Sequence, residues 1–468
     1  MKVVRYVGPG KNLPEEYRRA LGKRSQAVVV DTLRRGNVTV RFTLDGQPLE
    51  LECDEPSRDF LDLCTLIYIA DEMEVRSHSR DYWSRRFDIV APVKSPAVWA
   101  RHEDEFRRAL ITLSGDDYRF SWCRRPKLPS FGRHRTALPE GFDAVCLFSG
   151  GLDSFLGARK LLARGLKLLL VGHQADGTAA SAQKQLAAWL RRKYPDAVQL
   201  VQCRVARSQA EGWAFKLPEK REETHRPRSL LFLALAVAVA NAAGVESIYL
   251  PENGLIAINA PLQKSRLGSL STRTAHPKYL MELAKFLRAA KIFRGRIENP
   301  FLFESKTDML QRLPKQLSNP LLWSVSCARP SRYKQFKVRH CGYCVPCIYR
   351  RVAMMAAGLD REEDYAFSVF RDLSKLKAGK QLDFRALVRF AERVTKASSV
   401  EREMIVLSHG VFGLDTGETI GPHAVNSYAK WGEMLLRWST DFLSRVHECA
   451  TLETKRSLGR TLRRNAMA

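Results

Sequence analysis

From about residue 141 the chain repeats one grammar: a short apolar strand-like run, then a longer run with helical spacing, then another strand. DAVCLFS is strand-like, SFLGARKLLARG helical, KLLLV strand-like, SAQKQLAAWLRRKY helical and VQLVQC strand-like. The apolar helix SLLFLALAVAVANAAG and the strand VESIYL follow. Strands alternating with helices at this spacing predict an α/β fold, a doubly wound parallel sheet with right-handed crossovers. Such a sheet binds ligands beyond the carboxyl ends of its strands, which directs attention to the loops there.

The flanking sequence reads differently. Between Gln26 and Cys53 short β-rich runs (AVVVD, NVTVRFTL, LELEC) are separated by the turn signals Arg35-Gly36-Asn37 and Asp45-Gly46. A helical pattern over Asp59–Met73, a strand FDIVAPV, a helix near Val98–Leu113 and a strand YRFSW complete a small α+β domain. The stretch Arg124–Glu140, rich in Pro, Gly and basic residues, reads as a linker. After about residue 311 the pattern breaks into loops around a cysteine cluster, and from Asp372 a charge-rich helical region follows. The expected division is therefore an α+β domain over 1–137, suited to binding a partner, the α/β domain over 138–310, a metal-binding region over 311–370 and a helical region over 371–468.

The 468 residues carry 77 Lys+Arg against 50 Asp+Glu, a formal charge of +27. Most of that excess lies in residues 141–370, with 35 basic and 18 acidic groups. This is either a solvated basic surface or a region that attracts anionic ligands. No run approaches the ~20 apolar residues of a membrane span, and the N-terminus lacks an apolar signal-peptide core. A soluble cytoplasmic protein with no membrane partner is expected. Ten cysteines are too sparse for a disulfide scaffold.

Phe148-Ser149-Gly150-Gly151-Leu152-Asp153-Ser154 lies between a strand and a helix. The two glycines permit a tight turn and close approach of backbone N–H groups. The helix that follows offers its positive end, and the Ser149 and Ser154 hydroxyls add donors. These are the features of a phosphate pocket; the bland alternative is a capped strand-to-helix turn with no ligand. No Gly-Lys-Ser/Thr follows, which argues against an ordinary P-loop kinase or GTPase. The run SGGLDS resembles the SGGxDS signature of the PP-loop ATP pyrophosphatases, an adenine nucleotide alpha hydrolase-like fold. These enzymes cleave ATP between the α and β phosphates and adenylate a substrate oxygen. The resemblance implies ATP and Mg2+, with Phe148, Ser149, Gly150, Gly151, Asp153 and Ser154 at the pyrophosphate end of ATP and Asp153 and Ser154 in catalysis.

Cys327 is followed after thirteen residues by Cys341-Gly-Tyr-Cys344-Val-Pro-Cys347. Four thiolates satisfy tetrahedral Zn2+, with the Cys-x-x-Cys turn supplying neighbouring ligands. An iron–sulfur cluster is the alternative, although no fourth cysteine follows within the next three residues. Together with the phosphate loop, this cluster resembles QueC, the 7-cyano-7-deazaguanine synthase family, over roughly residues 141–360. Gly172-His173-Gln174, Arg226-Pro227-Arg228-Ser229 and Cys347-Ile-Tyr-Arg350-Arg351 are similar to further segments of that family, the first with a change of order. The N-terminal domain, Glu252-Asn253-Gly254 and Ser271-Thr272-Arg273-Thr274-Ala275-His276-Pro277 resemble QatC, the QueC-like member of bacterial QatABCD antiphage systems.

Several residues admit two readings. Arg273 suits a carboxylate or phosphate, as a catalytic and substrate-binding group beside Thr272. The same segment also reads as a surface loop in which His276 and Pro277 start a helix. Glu252 and Asn253 follow a strand at its ligand-facing end and could meet a purine-like edge; Asn253-Gly254 also makes a turn. His173, with Gln174 and Arg228, is either a substrate contact or a satisfied loop histidine. Lys306 reads as an exposed lysine, with steadying of the pyrophosphate as the alternative. Leu230–Ala240 reads as core.

The resemblance implies adenylation of the carboxylate of 7-carboxy-7-deazaguanine with release of pyrophosphate, then attack by an amine. In QueC the amine is ammonia and a second adenylation gives a nitrile. In the defence-associated relatives it is a protein N-terminus, implying a protein partner from the same operon. A PP-loop tRNA-modifying enzyme and a zinc-stabilised nucleic-acid-binding module with a vestigial ATP loop are the competing expectations.

Overall fold

Short apolar runs become strands, and those of Ala144–Leu147 and Leu168–His173, buried throughout, lie in the middle of the larger sheet. The computed structural model describes residues 2–6, 27–31, 37–81, 83–125, 138–207, 221–222, 225–259, 273–311, 318–328, 330, 333, 337–410 and 427–458. Arg35, Gly36, most of the expected linker and Thr272 lie outside the described residues. The strands among them are β1 (Lys2–Tyr6), β2 (Ala27–Asp31), β3 (Val38–Leu44), β4 (Gln47–Leu49), β5 (Arg86–Val93), β6 (Asp117–Arg124), β7 (Ala144–Leu147), β8 (Leu168–His173), β9 (Val198–Arg207), β10 (Ser247–Tyr249) and β11 (Arg296–Glu298).

The larger sheet has the order β11-β10-β7-β8-β9-β3-β4, and the run from β11 to β9 is parallel. Every residue of β7 and β8 is buried, as expected where helices cover both faces. The chain advances from β7 through β8 to β9 and then returns to place β10 on the other side of β7. The loops after β7 and β10 therefore diverge at a topological switch point, the place where open parallel sheets bind ligands. Helix Arg228–Ala242, apolar all round, lies between β7, β8 and the helix Glu55–Met73. Its burial agrees with its reading as core.

The N-terminal region departs from the expected pattern of short hairpins. Its four-stranded sheet, β2-β1-β5-β6, is entirely parallel, with pairing between segments far apart in sequence. The Asp45-Gly46 signal does form a hairpin, with φ of 50° and 92° at its two turn residues. That hairpin, β3-β4, joins the larger sheet antiparallel to β9, so the expected boundary at residue 137 does not separate the two sheets. Local turn chemistry specified the hairpin, whereas its docking depends on β9 presenting an open edge. A buried cluster fixes the rest of this region: Arg76 makes two bonds to the Asp116 carboxylate, at 2.8 and 2.7 Å, while Arg85 bridges Asp116 and Asp71. The backbone N–H of Arg76 donates to Glu222, and Arg226 donates to the Ser114 carbonyl at 2.8 Å. These contacts tie the N-terminal region to the segment that opens the central helix.

The C-terminal region is helical, as read from the sequence, with helices Ala378–Lys396, Ser399–Leu407, Ser427–Cys449 and Leu452–Leu458. Its buried Trp431 donates from Nε1 to the Leu302 carbonyl at 3.0 Å, and Thr307 bonds Asp441 at 3.2 Å. The bundle thereby grips the loop after β11. No helix among the described residues is long and apolar enough to cross a membrane.

Candidate functional site

At the end of β7 the chain turns through Phe148, Ser149, Gly150 and Gly151 into the helix Leu152–Leu162. Gly150 has φ +79°, and a Cβ there would lie 3.0 Å from the backbone nitrogen of Gln183. Only glycine takes this turn without strain. The Ser149 and Ser154 hydroxyls are 3.3 Å apart, Gly151 N–H donates to Ser149 Oγ at 3.3 Å, and Ser154 donates to the Gly151 carbonyl at 3.0 Å. Exposed Ser149 sits at the positive end of the helix, an arrangement suited to phosphate oxygens. Phe148 is buried and anchors the loop from below.

Beneath the loop lies a charged cluster assembled from three segments. Gly157 lets the helix approach closely, since a Cβ there would come within 2.3 Å of Pro251 Cβ. This approach brings the end of β10 against Asp153. Asn253 donates to Asp153 Oδ2 from its side chain at 2.6 Å and from its backbone at 3.2 Å. Its Oδ1 accepts from Ile256 N–H and caps a short helix, in keeping with its reading as a turn residue. Lys306 forms an ion pair with Asp153 Oδ1. Both partners are only 5% exposed, which corrects the reading of Lys306 as an exposed lysine. A buried carboxylate requires a compensating charge, and the first residue of the helix Lys306–Gln311, which follows β11, supplies it.

Glu252 completes the cluster. Burial first, and then the neighbouring Asp153 charge, push its pKa well above the ordinary 4.5. Burial also works against the charged form of Asp153, but the Lys306 charge and hydrogen bonds from Glu252, Lys306 and Asn253 bring its pKa below 3.8. The two carboxyl groups thus differ in protonation, Asp153 charged and Glu252 holding its proton past the usual carboxylate range. Around them Lys160 donates to Glu304 at 2.9 Å and to the Pro300 carbonyl at 3.0 Å, holding the loop that carries Lys306 against the same helix.

Other expected site residues sit elsewhere. His173 ends β8, its ring packed edge-on against Tyr68 and Phe232. Burial, and then the Arg228 charge, lower its pKa to about 3, leaving a neutral imidazole. Arg228 lies over the Phe232 ring, 5.2 Å from its centroid, and Gln174 N–H donates to the Cys203 carbonyl. These three residues form a second group, beyond β8 and β9, to which Tyr68 comes from the N-terminal region. Arg273 turns away to the Thr112 carbonyl at 3.0 Å. His276 precedes the helix Pro277–Ala289 as read, yet it is buried and bonded to the His409 carbonyl at 3.2 Å. The C-terminal bundle covers what the sequence presented as a surface loop.

The sulfur atoms of Cys327, Cys341, Cys344 and Cys347 all lie within 4.8 Å of one another, with Cys341 and Cys347 3.8 Å apart. A zinc ion with Zn–S bonds of about 2.3 Å gives a tetrahedron with edges of about 3.8 Å, so the donor set fits a single Zn2+. The cluster touches the phosphate loop through its flank: Val325 N–H donates to the Gly150 carbonyl at 2.9 Å, and Arg350 bonds Ser324 at 2.6 Å.

No family model matches the chain, and no solved structure matches it. Among curated proteins it is similar to 7-cyano-7-deazaguanine synthase of Anaeromyxobacter dehalogenans (strain 2CP-C), with 27% identity over 246 residues. The match covers 49% of this chain and 98% of that protein. This distant likeness agrees with the QueC-like resemblance of the sequence.

Proposed function

We propose that the chain uses ATP at the Phe148–Ser154 loop to activate the carboxylate of 7-carboxy-7-deazaguanine and pass it to an amine. A carboxylate oxygen attacks the α-phosphorus, the bond from that phosphorus to the α,β-bridging oxygen breaks, and pyrophosphate leaves with the electron pair. The amine nitrogen then attacks the acyl carbon, AMP departs with its bonding electrons, and the nitrogen loses a proton to give an amide. The observation that carries this reading is the Gly-Gly turn into a helix N-terminus at the sheet's switch point, backed by Asp153, Lys306, Glu252 and Asn253. Backbone N–H groups with Ser149 and Ser154 suit the departing diphosphate, and Lys306 supplies a cation nearby. Mg2+ bound with the nucleotide would share that negative charge. Zn2+ at the four cysteines is structural in this reading, bracing Val325 against the loop.

The deazaguanine acid is chosen because the similar protein is by name a 7-cyano-7-deazaguanine synthase. The acceptor we favour is the N-terminus of a partner protein, in antiphage defence as in the QatC resemblance. About half of this chain lies outside the match to that relative, which leaves protein surface for such a partner. Mixing the protein with ATP, Mg2+, the deazaguanine acid and the candidate partner, then weighing the partner intact, tests this reading. An added acyl mass with equimolar AMP supports it; an unmodified partner overturns the conjugation.

A second reading, use of ammonia with dehydration of the amide to a nitrile, is favoured by the near-complete coverage of the relative. The same incubation with an ammonium salt separates the two, because the nitrile appears as a free small molecule.

A further inference from the structure

The loop that forms the phosphate cradle is shaped from beneath by a side chain that no motif includes. Gln183 lies in the helix Gly177–Lys193 and is fully buried. Its Nε2 donates to the His173 carbonyl at 3.1 Å and to the Ser149 carbonyl at 3.4 Å. Its Oε1 accepts from Gln202 Nε2 on β9 at 2.7 Å, and Gln202 also reaches the Ala180 carbonyl at 3.5 Å. Gly172 makes room for this amide, since a Cβ there would approach its Oε1 to 2.7 Å, and Gly150 admits the helix that carries it, since a Cβ there would approach the Gln183 backbone nitrogen to 3.0 Å.

We infer that Gln183 is a positioning residue for the phosphate loop, an amide strut that holds the Ser149 carbonyl inward so that the loop's donors face the anion. A peptide unit has two ends. With the carbonyl of Ser149 bonded inward to Gln183, the N–H of Gly150 on that same rigid plane is directed the opposite way, toward the ligand side. The His173 carbonyl is held by the same amide, which fixes the end of β8 at a set distance from the loop after β7. Gln202 sets the orientation of the strut, since its N–H donor selects the oxygen end of the Gln183 amide. The inference rests on the reading of this loop as a nucleotide-phosphate cradle and adds to it a residue outside the SGGLDS run.

Calorimetric titration of the full chain with inorganic pyrophosphate and with ATP, in magnesium buffer, tests the assignment. Gln183→Met keeps the length of the side chain and removes all three of its hydrogen bonds, and it is expected to weaken pyrophosphate binding about tenfold or more. Gln183→Glu retains a donor only while protonated; once ionised it faces two carbonyl oxygens. Its affinity relative to wild type should fall as pH rises from about 5 to 8, while the Gln183→Met ratio stays flat. His173, the titratable residue whose carbonyl Gln183 holds, stays neutral over that range because burial keeps its pKa near 3. The thiol of Cys203, beside Gln202, is likewise held neutral by burial. Wild-type affinity in Gln183→Met, or equal flat ratios for both variants, overturns the strut. A wild type that binds neither pyrophosphate nor ATP overturns the cradle reading and the inference with it, so the two failures are distinguishable.

Discussion

Replacing Lys306 with Met would leave a carboxylate stranded in the interior. Lys306 and Asp153 are both 5% exposed and form an ion pair, so the substitution keeps the aliphatic stem but removes the compensating charge. Asp153 would retain the two bonds from Asn253 and face Glu252, a second carboxyl group. Breaking a buried pair from one side costs about 3–5 kcal/mol. For a unit of 150–250 residues each kcal/mol shifts the melting temperature by about 2–4 °C, so a drop on the order of 6–20 °C is expected at pH 7. Adding Asp153→Asn removes the stranded charge while preserving shape, and the double variant should regain most of the loss. The folded pKa of Asp153 is depressed below 3.8, so its stabilising contribution is present above that value and lost as pH falls through the folded pKa. The penalty of K306M should therefore shrink in acid. Thermal unfolding followed by fluorescence across pH measures all three effects. A single variant melting within about 2 °C of wild type at neutral pH, or a double variant no more stable than the single, would refute the reasoning.

Glu252 has the opposite sign. Its folded pKa is raised, so its contribution is fullest below 4.5 and erodes as pH rises toward the folded value. Glu252→Gln should thus gain on wild type in melting temperature between about pH 5 and 8; a variant that falls further behind as pH rises would contradict the raised pKa. Gly150→Ala should lose about 1–2 kcal/mol from its positive φ, and more from contact with Gln183, together with pyrophosphate affinity by calorimetry. Gly141→Ala, at φ +81° in open space, should show the conformational cost alone. Elemental analysis should find one zinc per chain, reduced by Cys344→Ser; stoichiometric iron with visible absorbance would reverse the metal assignment. Trp431→Ala should cost about 3–5 kcal/mol in thermal unfolding and loosen the loop bearing Lys306. Wild-type stability would mean that the bundle does not brace that loop.

The sequence by itself determined the local chemistry. The alternation of apolar runs specified the parallel sheet, Gly150-Gly151 specified the tight strand-to-helix turn, and the cysteine spacing specified a four-sulfur cluster. Each of these is encoded within a few residues or in a repeating period, where backbone sterics and ligand geometry leave few alternatives. What only the tertiary structure decided are relations between distant segments. Lys306 resembles any surface lysine until the loop after β11 is folded beneath the helix that carries Asp153. Gln183 belongs to no motif, and its contacts exist only because Gly172 on β8 and Gly150 in the loop after β7 leave space for it. Arg273, attractive as an anion ligand in sequence, is drawn instead to a helix end some 160 positions away. The placement of β3-β4 on β9 and the parallel pairing of the N-terminal strands have the same origin. Charge compensation, close packing and edge pairing are satisfied in three dimensions by whichever partner the fold delivers, and spacing along the chain does not record that partner.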